Sequence, residues 1–257
     1  MTKYKEKFEK MRIAGNLASR TLDMLTDYIK PGISTDKIDQ LAYNFIKDNG
    51  GYSAPQFYRG FKKSLCTSLN HVVCHGIPSD RILEDGDVIN VDVTAVVNEY
   101  YGDTSRMFVI GKSSVKANNL IDTTYESMMK AIKILKENIH LGDIGSTIQQ
   151  HVESNGCSVV QDFCGHGIGE SFHMEPSILH YGKKGTGEKI KAGMIFTIEP
   201  MINLGNYQTK ILNDGWTAVT KDKSLSAQYE HTIGITQEGN EIFTLSQNDS
   251  DFPINTI

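Results

Sequence analysis

The chain has 257 residues, 39% of them apolar and 22% charged, a balance that builds one large or two small globular domains and excludes a disordered chain. Its formal net charge of −5 and the lack of any Lys/Arg-rich run give no footprint for nucleic acid. No stretch reaches the ~18 apolar residues of a membrane span.

Residues 4–29 have helical periodicity, with Leu17, Leu22, Met24, Leu25 and Ile29 among the apolar positions. Pro31-Gly32 breaks the pattern, and Ser34 or Thr35 can cap a second helix that ends near Asn49-Gly50-Gly51. A Val-rich strand follows in "EDGDVINVDV" at 84–93 and runs on through Asp103. There Val91 and Val93 point one way, so Asn90, Asp92 and Thr94 share the opposite face. A carboxylate in such a strand must be hydrogen-bonded, paired or bound to a cation. A long helix then passes through Met128, Ile132, Ile134 and Leu135, breaks at Leu141-Gly142, and a further helix is predicted from Ser146-Thr147 to Asn155-Gly156. "IKPGISTDKIDQLAYNFIKDNG" and "IHLGDIGSTIQQHVESNG" thus read as two copies of one helix–turn–helix unit.

The strands repeat as well. "KAGMIFTIEP" at 191–200 aligns with 84–93, so that Gly193 falls on Gly86 and Glu199 on Asp92. Thr197 and Glu199 share a face as Asn90 and Asp92 do. Tyr101-Gly-Asp-Thr104 is echoed by Gln228-Tyr-Glu-His231, which pairs Asp103 with Glu230. The expected architecture is a single α+β domain of two similar halves, roughly 1–111 and 112–250. Two such halves facing each other would bring four acids to one point. Each acid taken singly could sit in a solvated turn or a surface ion pair. Four together in an apolar site cannot all stay ionised without cations, and hard oxygen donors suit a pair of divalent ions about 3.5–4 Å apart.

Between the strand pairs lies "CGHGIGESFHMEP" at 164–176. Glycines on both sides of His166 let the backbone approach a site closely, and imidazole nitrogen is a good ligand for a borderline metal. His173, seven residues on, is too far to be a helical neighbour. Cys74-His-Gly-Ile-Pro78 repeats the His-Gly-Ile core and makes His75 a third candidate. The cysteines Cys66, Cys74, Cys157 and Cys164 lack CxxC spacing, and the charged start MTKYKEKFEKMRIAG has no apolar core of a secretion signal. A cytoplasmic protein with reduced thiols is the simplest expectation.

HGIP, D-x10-D, GHGIG-x3-H, IEP and YEHT, in this order and spacing from about residue 5 to 245, resemble the type I methionine aminopeptidases of the pita-bread metallopeptidase fold. The resemblance implies pseudo-twofold-related halves with an antiparallel sheet covered by helices. It implies Asp92, Asp103, His166, Glu199 and Glu230 as ligands of two divalent ions (Co, Mn, Fe or Zn), with Asp103 and Glu230 bridging. Asp92 would serve one ion, and His166 with Glu199 the other. His173 would bind the scissile carbonyl oxygen, His75 the substrate backbone, and Glu199 would also act as the base. Tyr58, Phe61, Cys66, Phe172 and Trp216 match the methionine pocket, and carbonyls of Asn70, Val72 and Ser226 match a monovalent-cation site. The implied activity is removal of initiator methionine before a small second residue, on nascent polypeptide N-termini, by a cytoplasmic monomer that can touch the ribosome transiently.

The chain departs from the family at Pro55, at Lys62 in Gly60-Phe-Lys-Lys-Ser64 and at His71 in Asn70-His-Val-Val73, changes expected to touch the pocket rim. Three rivals are weighed against this reading. An X-Pro peptidase shares the fold but usually carries a large extra N-terminal domain. A catalytically dead binding module should have lost ligands. A metal store or sensor would have no use for the base and the apolar pocket.

Overall fold

In the computed structural model, which describes residues 4–248, 251 and 254–256, two helices lead into a long hairpin. Helix α1 (Lys5–Thr26) buries Leu17, Leu22 and Leu25 on one stripe. Helix α2 (Thr35–Asp48) starts where Ser34 Oγ accepts a hydrogen bond from the Lys37 amide at 3.1 Å, satisfying one orphan donor of the first turn. The hairpin strands Val88–Val97 and Tyr100–Ile110 pair antiparallel, with Asp92 opposite Ser105 and Thr94 opposite Asp103. Ile89, Val91, Val93 and Phe108 pack with Leu22, Leu25, Ile38 and Ile46 in one apolar cluster. Strand alternation therefore turns Asp92, Thr94 and Asp103 away from the helices.

The second half repeats the scheme. Helices α3 (Val115–Ile134) and α4 (Leu141–Ser154) cover strands Ile195–Ile198 and His231–Ile235, and Leu120, Met128, Ile148 and Val152 share a core with Phe196, Ile198, Ile233 and Ile235. Strands Gly165–Gly167 and Met174–Ile178 extend this sheet on one side and Asn240–Ile242 on the other. Helix α4 begins five residues before the predicted Ser146 start. Asp143 Oδ2 accepts from the His140 amide at 2.9 Å and secures the first turn. Gly142, read as a breaker, and Gly145 face the loop beyond them: a Cβ would lie 2.5 Å from Lys183 O and 2.3 Å from Tyr181 O, respectively.

The glycines that open the paired strands behave alike. Gly86 (φ +91°) donates to Ile110 O at 2.7 Å, and Gly193 (φ +92°) donates to Ile235 O at 2.7 Å. With Ile110 matched to Ile235, Ser105 matches Glu230. These two residues bridge the halves, with N···O distances of 3.4 and 3.2 Å. The expected correspondence of Asp103 with Glu230 is therefore offset by two residues, Asp103 matching Gln228. A step of two keeps the same strand face, so both acids still turn into the same cleft.

One strand departs from the antiparallel expectation, because Ile254–Thr256 pairs parallel with Phe108–Ile110. The adjoining tail is held by a buried ion cluster. Arg106, 2% exposed, places Nη1 2.9 Å from Asp23 of α1 and Nη2 3.4 Å from Asp251. Ser246 Oγ donates to the same Asp23 at 2.7 Å. Removing the cation leaves two carboxylates partly buried beside each other, so Arg106→Ala is expected to cost about 3–5 kcal/mol. Urea unfolding would measure it, and Asp23→Asn in the Arg106→Ala background should recover part of the loss.

Candidate metal centre and substrate cleft

The centre lies where the two halves meet. Thr94 Oγ1 donates to Asp103 Oδ1 at 2.7 Å, and Thr197 Oγ1 donates to Glu199 Oε1 at 2.8 Å, so each half contributes an alternate-position threonine that orients an acid. Gln228 Nε2 reaches the other Glu199 oxygen at 3.4 Å. The Glu199 amide donates to buried His180 Nε2 at 3.1 Å. Burial holds His180 neutral, with its pKa pushed down to about 3, which leaves that nitrogen free to accept.

His166 shows how the centre is poised. Its Nδ1 lies 3.1 Å from Gly167 O. A carbonyl only accepts, so Nδ1 carries the proton and Nε2 presents a lone pair. That lone pair faces Glu199 Oε1 at 3.5 Å and Asp103 Oδ2 at 3.8 Å. Ligand atoms of Asp103, His166 and Glu230 all lie within 4.8 Å of one another. Glu230 is buried, and its Oε1 has no hydrogen-bond partner among the described residues. Asp92 stands opposite Cys66 on the neighbouring strand, and its charge raises the pKa of Asp103, Glu199 and Glu230.

Loss of water dominates the electrostatics. Burial pushes Asp92 up to about 7 and Glu199 up to about 8, and drives Asp103 and Glu230 well above the usual carboxylate range, with acid–acid repulsion adding for the last three. The same burial lowers His166 to about 4. Acceptors thus face acceptors: a neutral imidazole lone pair, an orphaned carboxylate oxygen and three further acids. One or more cations reconcile such a set, and its N/O composition suits divalent transition metals.

The glycines beside His166 have a purpose other than the one expected. A Cβ on Gly165 would lie 2.4 Å from Thr197 O, and one on Gly167 2.2 Å from Glu175 O. They let neighbouring strands pack closely and do not face the acids.

A cavity of about 570 Å³ leads to the acids. Phe61 stands edge-on to Trp216 at 5.1 Å and Tyr58 edge-on to Phe172 at 5.2 Å, with Cys66 on the same wall. Pro55 lines it too, whereas Lys62 and His71 are exposed and are not among its lining residues. Of the three departures, only Pro55 reaches the pocket; His71 sits on a turn and accepts from the Thr220 amide at 3.0 Å through its carbonyl. Arg59, Phe163 and Met201, which the motifs did not single out, also line the cavity, as does Cys164.

His173 lies at the mouth, its ring 4.2 Å from His166 and 4.8 Å from Tyr58. Packing against these rings, then the nearby His166 and His75, disfavour its charged form. His75, with a left-handed backbone (φ +56°), presents its ring edge to Trp216 at 6.4 Å, and burial lowers its pKa. The Asn70 carbonyl accepts from the Ser226 amide at 2.9 Å, which brings two of the three cation-site carbonyl residues together. That bond leaves Asn70 O one lone pair for an ion.

Residues 9–237 match metallopeptidase family M24. The chain belongs to this family. It is 54% identical over 247 residues to the methionine aminopeptidase of Rickettsia prowazekii, spanning 96% of this chain and 95% of that protein. To the Escherichia coli K12 methionine aminopeptidase it is 48% identical, spanning 95% and 94%. The crystal structure of the Rickettsia enzyme superposes with a TM-score of 0.92 over 93% of this chain and 97% of its own. That of the Thermotoga maritima methionine aminopeptidase, 38% identical, gives 0.93 over 95% and 98%. A Pyrococcus furiosus prolidase, 22% identical with a TM-score of 0.75, shares the pita-bread fold, and this chain covers 65% of it. As an M24 metallopeptidase the chain has an α+β pita-bread architecture and a hydrolase's metal dependence.

Proposed function

We propose that the chain removes the initiator methionine from nascent polypeptides whose second residue is small. The observation that carries this reading is a ring-lined apolar cavity that ends on the cluster of Asp92, Asp103, His166, Glu199 and Glu230. Near-full-length identity to methionine aminopeptidases supports it. In this reading the five residues would hold two divalent ions, and residues 1–257 form one catalytic domain of two halves, 1–111 and 112–250. Asn70, Val72 and Ser226 offer carbonyls to a monovalent cation. No helix among the described residues is long and apolar enough to cross a membrane. A cytoplasmic monomer that meets the ribosome transiently fits the proposal.

When bound, the divalent ions supply Lewis-acid polarisation of a carbonyl and a water whose pKa falls toward neutrality. Glu199, oriented by Thr197 and Gln228, takes the proton of the attacking water and passes it to the leaving amine as the C–N bond breaks. His173, neutral near pH 7, has one N–H to donate to the carbonyl oxygen as negative charge develops there. His75 holds the peptide backbone beside it.

His173→Ala is therefore expected to lower kcat by about 10²–10³-fold with a smaller change in KM, since its hydrogen bond strengthens in the transition state. Steady-state kinetics with a parallel inhibitor-binding assay would check this. An equal loss in ground-state binding assigns His173 to substrate positioning instead.

Filling the pocket with a thioether chain should favour Met-first over Ala-first peptides by about 10–200-fold, with norleucine close to Met. Assays of Met-Ala-Ser, norleucine-Ala-Ser, Ala-Ala-Ser, Met-Phe-Ser and Ala-Pro-Ser peptides test the reading. Equal turnover of Met-first and Ala-first substrates defeats the pocket assignment, rapid cleavage before proline favours the X-Pro rival, and fast cleavage of Met before a large second residue defeats the steric rule.

A further inference from the structure

A second concavity opens beside the cleft and shares two of its walls. Tyr58 and Phe172 line both, and Tyr52, Ala54, Phe57 and Tyr101 complete the second, which has a volume of about 330 Å³. Tyr101 stacks on Phe172 at 5.8 Å with the ring planes 16° apart, and Phe57 stands edge-on to Tyr52 at 5.6 Å. Tyr52 and Tyr101 both line the far side of the concavity. The segment is fixed from below, because Tyr52 and Ser53 pair with Val96 and Ala95 of the long hairpin. Phe57 is nonetheless 75% exposed and Tyr52 45%. Open aromatic surface contiguous with a binding cleft is unfilled contact area for a ligand.

Continuity with the cleft identifies the occupant. Phe172 lies 6.2 Å from His166 on one side and 5.8 Å from Tyr101 on the other, so the groove begins one aromatic ring from the acids. A peptide held with its first residue in the ring-lined cavity reaches the groove by running past Tyr58 and Phe172, the wall that both share, advancing ~3.4 Å per residue when extended. We propose that the groove binds an aromatic or large aliphatic side chain on the third or fourth residue of the peptide substrate. The proposal rests on the aminopeptidase reading and adds a selectivity beyond the first two residues.

The test compares Met-Ala-Ser-Ser with the same peptide carrying Phe or Leu at the third or the fourth position. In the wild-type protein one of these changes should raise kcat/KM by about tenfold, as expected for partial burial of such a side chain. Phe57→Ala should remove most of that gain and leave turnover of Met-Ala-Ser-Ser within about twofold of wild type, whereas Phe57→Tyr should retain the gain. Turnover with no dependence on the third and fourth residues, or a dependence unchanged in Phe57→Ala, overturns the groove proposal and leaves the aminopeptidase reading standing. Concentration-dependent dimerisation abolished by Phe57→Ala, without peptide dependence, assigns the face to self-association and overturns it too. Failure to cleave any Met-first peptide overturns both.

Discussion

Stripping divalent metal with a chelator is expected to abolish peptidase activity and to lower the melting temperature, with the thermal effect larger at pH 8 than at pH 6. The pH trend follows from the acids. Burial holds Asp92 up to about 7 and Glu199 up to about 8, with Asp103 and Glu230 raised as well. Between the ordinary carboxylate range and those values, the metal-free folded state binds more protons than the unfolded chain. Its stability is therefore greatest at low pH in this respect and falls as pH rises through about 4 to 8. Metal requires the deprotonated ligands, so its affinity changes in the opposite sense, rising with pH. At a free metal concentration about 100 times Kd, binding contributes about 2.7 kcal/mol, or a shift of roughly 5–10 °C for a chain of this size. Differential scanning calorimetry of stripped and reconstituted protein at the two pH values measures both effects. Full activity in rigorously metal-free protein, or a melting temperature indifferent to manganese, iron, cobalt and zinc alike, contradicts the centre as assigned.

The positions of the acids were legible because strand alternation is a two-residue code. Val91 and Val93 belong to the helix-covered core, which leaves Asp92 and Thr94 on the other face wherever the strand ends lie. The same code explains why the two-residue offset between Asp103 and Glu230 did no harm: an error of one residue would have turned an acid into the core. Helix α4 was harder to read. Gly142 carries a local signal for a break, whereas its close contact with Lys183, like that of Gly145 with Tyr181, is with a segment far along the chain and leaves no trace in the local pattern. The glycines around His166 misled in the same manner, since the backbone they approach belongs to neighbouring strands. His180 had no motif to mark it, because its contact is with the amide of Glu199 and not with its side chain. Phe57 was equally silent. An aromatic residue in a short run reads as core, and only the tertiary arrangement leaves it open beside the cleft.

Glu199→Gln is expected to lower kcat by about 10²–10⁴-fold, the range for losing a general base, while KM changes much less. The substitution keeps the shape of the side chain. Thr197 Oγ1 can still donate to a carbonyl oxygen at this position, and the new NH2 group replaces the oxygen that accepted from Gln228 Nε2, so the Gln228 amide must turn its otherwise unpartnered Oε1 toward it. What disappears is the capacity to accept a proton at neutral pH. The raised pKa of Glu199, about 8 before metal binds, comes from burial first and from Asp92 second, and Thr197 opposes it. A cation beside the carboxylate reverses the balance and favours its ionised form, as a base requires. Because Glu199 also serves as a proposed ligand, its loss could act through metal content alone. The two roles separate when activity is measured against metal concentration, with bound metal quantified at each point. A ligand defect moves the metal titration to higher concentration and returns near-normal kcat at saturation. A base defect leaves kcat low when both ions are bound. Recovery of wild-type kcat at full occupancy would move proton transfer to another group in the cleft, and His173 would be the first to examine.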